Sequence, residues 1–262
     1  MTVAVIRTKP DTLNAEVRRF AQAPLRRTAF LNSVPKCGTH LLRNIVRMFV
    51  PVEQHYDREF IQIQNLEQHR AGLDPRRPAF STGHLVYADI AALTTQHARQ
   101  VVLVRDPYDY VLSRARFIFS DEFQNPLMEP LKKAGTVEQV INFMIFGVPA
   151  KAPGVREIFT AHAVAWMHTG VTLVRYEDIV RELKRLDTDQ AEAFFRGLLD
   201  AFGIDLPGDW RARVLLGSDR KHSATDSAGL SGVPTFPKAL SEGQKALVDF
   251  AAPGLRSLLG YG

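Results

Sequence analysis

Apolar residues along the chain form short continuous runs separated by longer amphipathic stretches. Residues 29–34 (AFLNSV) and 100–104 (QVVLV) are apolar runs of the length of a strand, and 170–179 (GVTLVRYEDI) begins with a third. Uninterrupted runs of this length are typical of strands that are buried on both faces of a parallel sheet. We therefore predict three buried strands.

Helical patterns follow these runs. Apolar positions recur at helical spacing from about Gly38–Thr39 to Pro51, which predicts an amphipathic helix. Pro107 opens a second helix, because proline suits the first turn, and residues 188–204 predict a third between a Thr188 cap and a Gly203 stop. Alternating strands and helices predict an α/β fold with a central parallel sheet flanked by helices. We expect residues 1–262 to form a single domain.

Two segments interrupt this alternation. Residues 1–27 are a polar lead-in with room for one short helix. Residues 121–160 contain several prolines and glycines among scattered phenylalanines and methionines. This second segment fits either a peripheral helix with loops or a cover over a substrate pocket, and both interpretations stay open.

Composition and charge narrow the class of protein. The 262 residues are 45% hydrophobic and 23% charged, as in globular proteins, and the formal net charge is +5. No apolar stretch approaches the ~18 residues of a membrane helix, and the first apolar run is too short for a signal peptide. Cys37 is the only cysteine, so we expect no intrachain disulfide, no cysteine zinc site and a cytoplasmic location. Paired arginines without interleaved aromatic residues give no reason to expect nucleic acid binding.

The segment SVPKCGTHLL joins the first predicted strand to its helix. A glycine turn that leads into a helix N-terminus suits an anion, because backbone N–H groups and the helix dipole point at the ligand. Thr39 adds a hydroxyl donor, and Lys36 adds a charge on the strand side of the turn. The usual phosphate loop places its lysine after the glycine, whereas Lys36 precedes Gly38. The alternative is an ordinary strand–helix turn with a surface lysine.

A second polar group follows the next predicted strand. Arg105 stands at the strand end and Ser113 lies two helical turns into the next helix, so both could bind one phosphate. The alternative for this segment alone is a surface ion pair between Arg105 and Asp109.

Together, VPKCGTHLL and the later VVLVRDPYDYVLS resemble the two nucleotide-binding motifs of sulfotransferases that use 3′-phosphoadenosine 5′-phosphosulfate (PAPS). LVRYEDI is similar to a further segment of that family, and the resemblance runs from about Ala29 to the C-terminus. It implies a single α/β domain related to the P-loop nucleotide kinases. It also implies PAPS as cosubstrate and its desulfonated form, PAP, as product.

The resemblance assigns roles to residues of this chain. It places the 5′-phosphosulfate on the loop, with Lys36 at the bridging oxygen. It places the 3′-phosphate on Arg105 and Ser113, and Tyr176 beside the adenine. The residues carried over as nucleotide-binding are Lys36, Cys37, Gly38, Thr39, His40, Leu41, Arg105, Ser113, Tyr176, Arg220 and Lys221. The chain departs from the family pattern at Cys37, Leu41, Thr82 and His222.

FSTGHLVY resembles the family segment that carries the catalytic histidine, which here is His84. Imidazole is a suitable base for an acceptor hydroxyl near neutral pH. The alternatives are a bystander surface histidine at this position and a carboxylate base at Glu122 or Asp121. Cys37, beside a lysine and a helix N-terminus, is either a reactive thiol or a buried, inert one.

We therefore predict a sulfotransferase that moves a sulfonyl group from PAPS to a hydroxyl of its acceptor, which is a small molecule, lipid, glycan or peptide. Lys36 and His84 are the predicted catalytic residues, and no metal is expected. The apolar content of 121–160 slightly favours an aromatic or hydrophobic acceptor. Two alternatives remain open: a phosphoryl-transfer enzyme on a related P-loop scaffold, and a PAP-binding module without catalysis.

Overall fold

The computed structural model describes residues 5–6, 12–120, 123–124, 129–219, 221 and 236–262. Its contacts cluster into two compact units. We call Asp11–Val104 with Ala161–Ser223 the sheet unit, and Met1–Pro10 with Arg105–Thr160 and Ala224–Gly262 the helical unit.

In the sheet unit, the strands are β2 (Ala29–Ser33), β3 (Phe80–Gly83), β4 (Arg99–Val104) and β6 (Thr172–Arg175). The α-helices that begin in it are α1 (Leu13–Val17), α2 (Thr39–Arg47), α3 (Asp89–Thr95), α8 (Tyr176–Leu183), α9 (Asp189–Ala201) and α10 (Trp210–Ser218). Short 3₁₀ helices lie at Val52–Gln54, Ile63–Asn65, Glu67–Leu73 and Val164–Trp166.

The four strands form one parallel sheet in the order β3-β2-β4-β6, flanked by helices. Leu31 of β2 pairs with Thr82 on one side and Val101 on the other. The prediction of a central parallel sheet is confirmed. Strand β3 was not predicted, because Phe80 is its single large apolar residue, although all four of its residues are buried.

Helix α2 is anchored by close packing against α10. A Cβ on Gly217 would lie 2.7 Å from Ile45 Cα, so only glycine allows this approach. The buried Arg213 donates from Nη1 to Met48 O at 2.9 Å, just beyond the C-terminal end of α2. The apolar face predicted for α2 is buried, including Leu42 and Ile45. The N-terminus of α2 is thereby held at the end of β2.

The helical unit contains β1 (Val5–Ile6), α4 (Pro107–Phe119), β5 (Phe123–Gln124), α5 (Glu129–Ala134), α6 (Val137–Phe146), most of α7 (Val155–His162), α11 (Glu242–Ala251) and α12 (Leu255–Leu258). Strands β1 and β5 pair antiparallel, and helices α4, α6 and α11 pack on one another. At the start of α4, Asp106 caps the helix and pairs with Arg256 at 2.9 Å.

The two irregular segments contain regular elements. Residues 1–27 contain the expected short helix, α1, and also strand β1. Residues 121–160 contain β5, α5, α6 and most of α7, and a capping box of Thr136 and Gln139 begins α6. These helices fit the first of the two interpretations, while a cover over a substrate pocket stays a prediction. Among the helices that the structure describes, none is long and apolar enough to cross a membrane.

Candidate active site

The loop between β2 and α2 has the geometry of an anion site. Strand β2 ends at Ser33, and α2 begins at Thr39 with Gly38 as its N-cap. Gly38 has φ +92° and Lys36 has φ +67°, so the chain turns sharply through two left-handed positions. A helix leaves the N–H groups of its first turn without intrahelical acceptors, which makes this end of α2 suitable for a phosphate or sulfate group.

Tyr176 packs directly on this loop. It is the first residue of α8, immediately after β6. A Cβ on Gly38 would lie 2.3 Å from Tyr176 Cδ2 and 2.5 Å from Cε2, so the ring lies against the glycine backbone. The fold therefore brings together two residues that are far apart in the chain and that the sequence assigned to the same nucleotide.

A chain of side-chain hydrogen bonds connects the loop to His84. Thr39 Oγ1 lies 2.7 Å from Ser33 Oγ, which lies 3.1 Å from His84 Nδ1. His84 Nδ1 also lies 3.0 Å from the carbonyl oxygen of Ser33. A carbonyl can only accept, so Nδ1 carries the proton of the neutral ring and Nε2 keeps the lone pair. His84 is thus held in the tautomer that a base requires.

The surroundings of His84 favour its neutral form. Phe60 stacks on the imidazole with ring centroids 5.0 Å apart, and His40 meets Phe60 edge-on at 5.3 Å. Burial lowers the pKa of His84 below its usual value, and the positive charge of Lys36 lowers it further. His84 is therefore both hydrogen-bonded to Ser33 and close enough to Lys36 to feel the charge of its ammonium group.

The backbone around His84 is fixed by Asn32, which is fully buried in β2. Its Oδ1 accepts from Leu85 N at 2.8 Å and its Nδ2 donates to Leu85 O at 3.0 Å. His84 N donates to Ile61 O at 2.9 Å, and Trp166 Nε1 donates to Leu85 O at 3.1 Å. These bonds leave the segment after β3 little freedom.

A second histidine lies near His84. The charge of a protonated His84 would act on His162, the last residue of α7, and together with the larger effect of burial it lowers the pKa of His162 to about 4. His162 Nδ1 is buried and has no hydrogen-bond partner among the described residues. The neighbouring Ala161 O accepts from Tyr87 N at 2.8 Å, which ties the end of α7 to the segment that carries His84.

In the helical unit, Arg105 directly precedes the α4 cap, and Ser113 lies in the second turn of α4. Arg105 Nη2 lies 3.9 Å from Asp109 Oδ2, so the ion pair expected as the alternative is present at long distance. Burial and the charge of Arg105 lower the pKa of Arg116, one turn beyond Ser113. Arg105 and Arg116 therefore lie close enough for their charges to interact, and Asp109 partly offsets them.

Comparison with known proteins identifies the family of this chain. A sequence model of the sulfotransferase domain matches residues 26–186, which is more than half of the chain. The chain belongs to the sulfotransferase domain family. No curated protein is similar enough in sequence to be counted as a relative.

Solved sulfotransferase-like structures share the fold. Mouse sulfotransferase SULT7A1 complexed with PAP aligns with a TM-score of 0.56 and 17% identity, over 95% of this chain and 92% of the mouse protein. Retinol dehydratase in complex with androsterone and the inactive cofactor PAP aligns with a TM-score of 0.53 and 14% identity, over 90% of this chain and 82% of its own. At such identities, the alignments establish the architecture of this sulfotransferase.

Other residues of the sulfotransferase motifs have different surroundings. Cys37 is fully buried, which favours the inert thiol over the reactive one, while Leu41 is half-buried. Lys221 is exposed and pairs with Asp219 at 3.0 Å. Arg220 lies outside the described residues.

Sequence reasoning missed several residues of the site. Ser33, Asn32, Phe60 and His162 all lie around His84 without belonging to a recognisable spacing. Ser33 opens the SVPKCGTHLL segment, and its position at the end of a buried strand was the one available signal. The alternative base residues Asp121 and Glu122 and the departure at His222 fall outside the described residues. Among the described residues, no group of three or more histidine, cysteine or acidic side chains could hold a metal.

Proposed function

We propose that this sulfotransferase transfers a sulfonyl group from PAPS to a hydroxyl of its acceptor. The observation that carries the proposal is the hydrogen-bonded connection from the anion loop to the imidazole, through Thr39, Ser33 and His84. It links a group suited to hold the donor with a group suited to activate the acceptor. The family match supports the same reaction class.

On the donor side, the first turn of α2 and Thr39 bind the 5′-phosphosulfate. His84 Nδ1–H donates to Ser33, and the Ser33 hydroxyl can then donate to Thr39 Oγ1, which leaves the Thr39 hydroxyl hydrogen for an oxygen of the ligand. Lys36 stabilises the negative charge that develops on the bridging oxygen as the sulfur–oxygen bond breaks. Tyr176 packs beside the adenine.

The remaining nucleotide contacts rest on the motif resemblance. Arg105 and Ser113 bind the 3′-phosphate through the forked guanidinium and the hydroxyl. Lys221 and Arg220 are further candidates for this phosphate, and Cys37, His40 and Leu41 complete the loop. PAP leaves as the product, and the reaction as proposed needs no metal.

On the acceptor side, His84 Nε2 takes the hydroxyl proton as the acceptor oxygen forms its bond to sulfur. The stacked Phe60 adds an apolar surface beside that base, which supports an aromatic or hydrophobic acceptor. A neighbour in fold, retinol dehydratase, forms a complex with androsterone. Residues 121–160 are the proposed cover of the acceptor, and the single cysteine supports a cytoplasmic location.

Calorimetry with PAP and with AMP tests the donor site, because AMP lacks only the 3′-phosphate. Each charged hydrogen bond contributes about 1.5–3 kcal/mol, so PAP should bind at least tenfold more tightly. Arg105→Ala should remove most of that difference, whereas Arg70→Ala, which removes an exposed arginine of the sheet unit, should preserve it. Equal affinities of the unmodified protein for PAP and AMP would contradict the proposal.

A further inference from the structure

A cavity lies at the opposite edge of the sheet from the anion loop. The loop and Tyr176 follow the carboxyl ends of β2 and β6, whereas this cavity is lined by residues at the beginnings of the strands, including Thr28, Arg99 and Thr172. Its volume is about 710 Å³. In a parallel sheet the two edges are a full strand length apart, so the cavity is separate from the candidate active site.

The lining of this cavity is rich in positive charge. Arg26, Arg27 and Arg99 face it, and Asp200 is the one acidic residue among the described residues that line it. Within the described part of the chain, none of the three arginines forms an ion pair or a side-chain hydrogen bond. Arg196, which is also on the surface, is instead paired with Glu192 at 2.7 Å. The three guanidinium groups are therefore available to a ligand.

The orientation of Arg99 is partly fixed by the fold. A Cβ on Gly203 would lie 3.6 Å from Arg99 Cγ and 4.0 Å from its Nε, so the arginine stem runs along the turn that ends α9. Arg99 N donates to Thr28 O at 2.8 Å, which holds its backbone beside the start of β2. A partly ordered guanidinium loses less conformational freedom when it binds an anion.

Gln100 gives independent evidence for a ligand. It lies in β4, lines the cavity and is only 6% exposed. Its Nε2 is buried and has no hydrogen-bond partner among the described residues. Buried amide groups are normally paired, because an unpaired buried donor costs free energy. An oxygen atom of a bound anion would satisfy this donor.

We propose that the cavity is a second anion-binding site, which takes the phosphate or sulfate group of a ligand. Arginine forks match the geometry of both tetrahedral oxyanions, and the Gln100 amide is a neutral donor among the residues that line the cavity. The site does not depend on the reaction proposed for the other edge of the sheet.

Calorimetric titration of the full chain with pyrophosphate tests this site. The anion loop is unaltered in every variant compared, so its contribution to binding is the same in each. Arg27→Gln with Arg99→Gln should weaken pyrophosphate binding by roughly tenfold for each arginine removed. The matched control is Arg19→Gln with Arg70→Gln, which removes the same charge from exposed positions paired with Glu16 and Glu67. That control should bind like the unmodified protein.

Two further measurements complete the test. Gln100→Leu should weaken binding several-fold without lowering the melting temperature, because the unmodified protein gains no hydrogen bond from this donor. A parallel titration with sulfate distinguishes phosphate-bearing from sulfate-bearing ligands, and binding of either one supports the site. The proposal is overturned if neither anion binds, or if both double variants bind pyrophosphate equally well.

Discussion

Replacing His84 by asparagine removes the proposed base while keeping a planar polar side chain. In the folded protein, His84 Nδ1–H donates to the Ser33 carbonyl oxygen at 3.0 Å. The lone pair of the neutral imidazole is therefore on Nε2, which is the proposed base. A positioned base contributes about 10²- to 10⁴-fold, so kcat should fall on that scale. Affinity for PAP should change much less, because His84 reaches the nucleotide only through Ser33 and Thr39, and an asparagine amide can still donate to Ser33.

The pH dependence provides a second test of the same residue. Only neutral imidazole can take a proton, and burial with the nearby Lys36 lowers the pKa of His84 below its usual 6.5. Activity should therefore be complete at neutral pH and fall only as the pH drops through that lowered pKa.

The assay is kcat with one alcohol acceptor from about pH 5 to about pH 9, a range that brackets the histidine titration. His168→Asn is the matched control, since His168 is exposed and its left-handed φ of +61° is tolerated by asparagine. If His84→Asn keeps most of the activity and the same acid limb, His84 is not the base.

Three other changes probe the site. Lys36→Ala should lower kcat by about 10²- to 10³-fold and PAP affinity far less, because its charge acts on the leaving oxygen; a change confined to KM would show a binding role only. Gly38→Ala should destabilise the protein by about 1–3 kcal/mol, because Gly38 has a left-handed φ and lies against Tyr176. Denaturant unfolding measures this against the control Gly208→Ala, whose added Cβ meets nothing within 4 Å. Equal stability of the two variants would refute the contact. The pKa of His162 falls from 6.5 to about 4 on folding, so the unfolded chain binds more protons between those pH values. The free energy of unfolding should therefore decrease as the pH is lowered through this range, by at most about 3 kcal/mol. If His162→Gln shows the same slope of unfolding free energy against pH, His162 is not the origin of the effect.

The sequence predicts the parts of the site that depend on local pattern. Gly38 and Thr39 lie where a strand must turn into a helix, and that setting alone indicates an anion loop. Pro107 likewise opens α4 as expected, because proline fits a first helical turn. The predictions of local structure succeed because the interactions involved are close along the chain, whereas anion binding by the loop stays a prediction.

Residues that act across the sheet could not be predicted in the same way. Asn32 fixes Leu85 although the two are 53 positions apart, and a buried asparagine in an apolar run gives no sign of its partner. Strand β3 was missed because Ser81 and Thr82 are polar, yet they are buried once β2 pairs with them. The position of His162 near His84 depends on where α7 ends, which no local pattern encodes.

The central claim is that this protein transfers a sulfonyl group from PAPS to a hydroxyl. The most direct measurement is mass spectrometry of a panel of phenols and alcohols incubated with the protein and PAPS, in the presence of EDTA. We predict products heavier by one sulfonyl group, formed together with PAP, and their loss with Lys36→Ala and His84→Asn. Tight binding of PAP without any sulfonated product, across hydroxyl acceptors and a metabolite extract, would contradict the claim and favour a nucleotide-binding module.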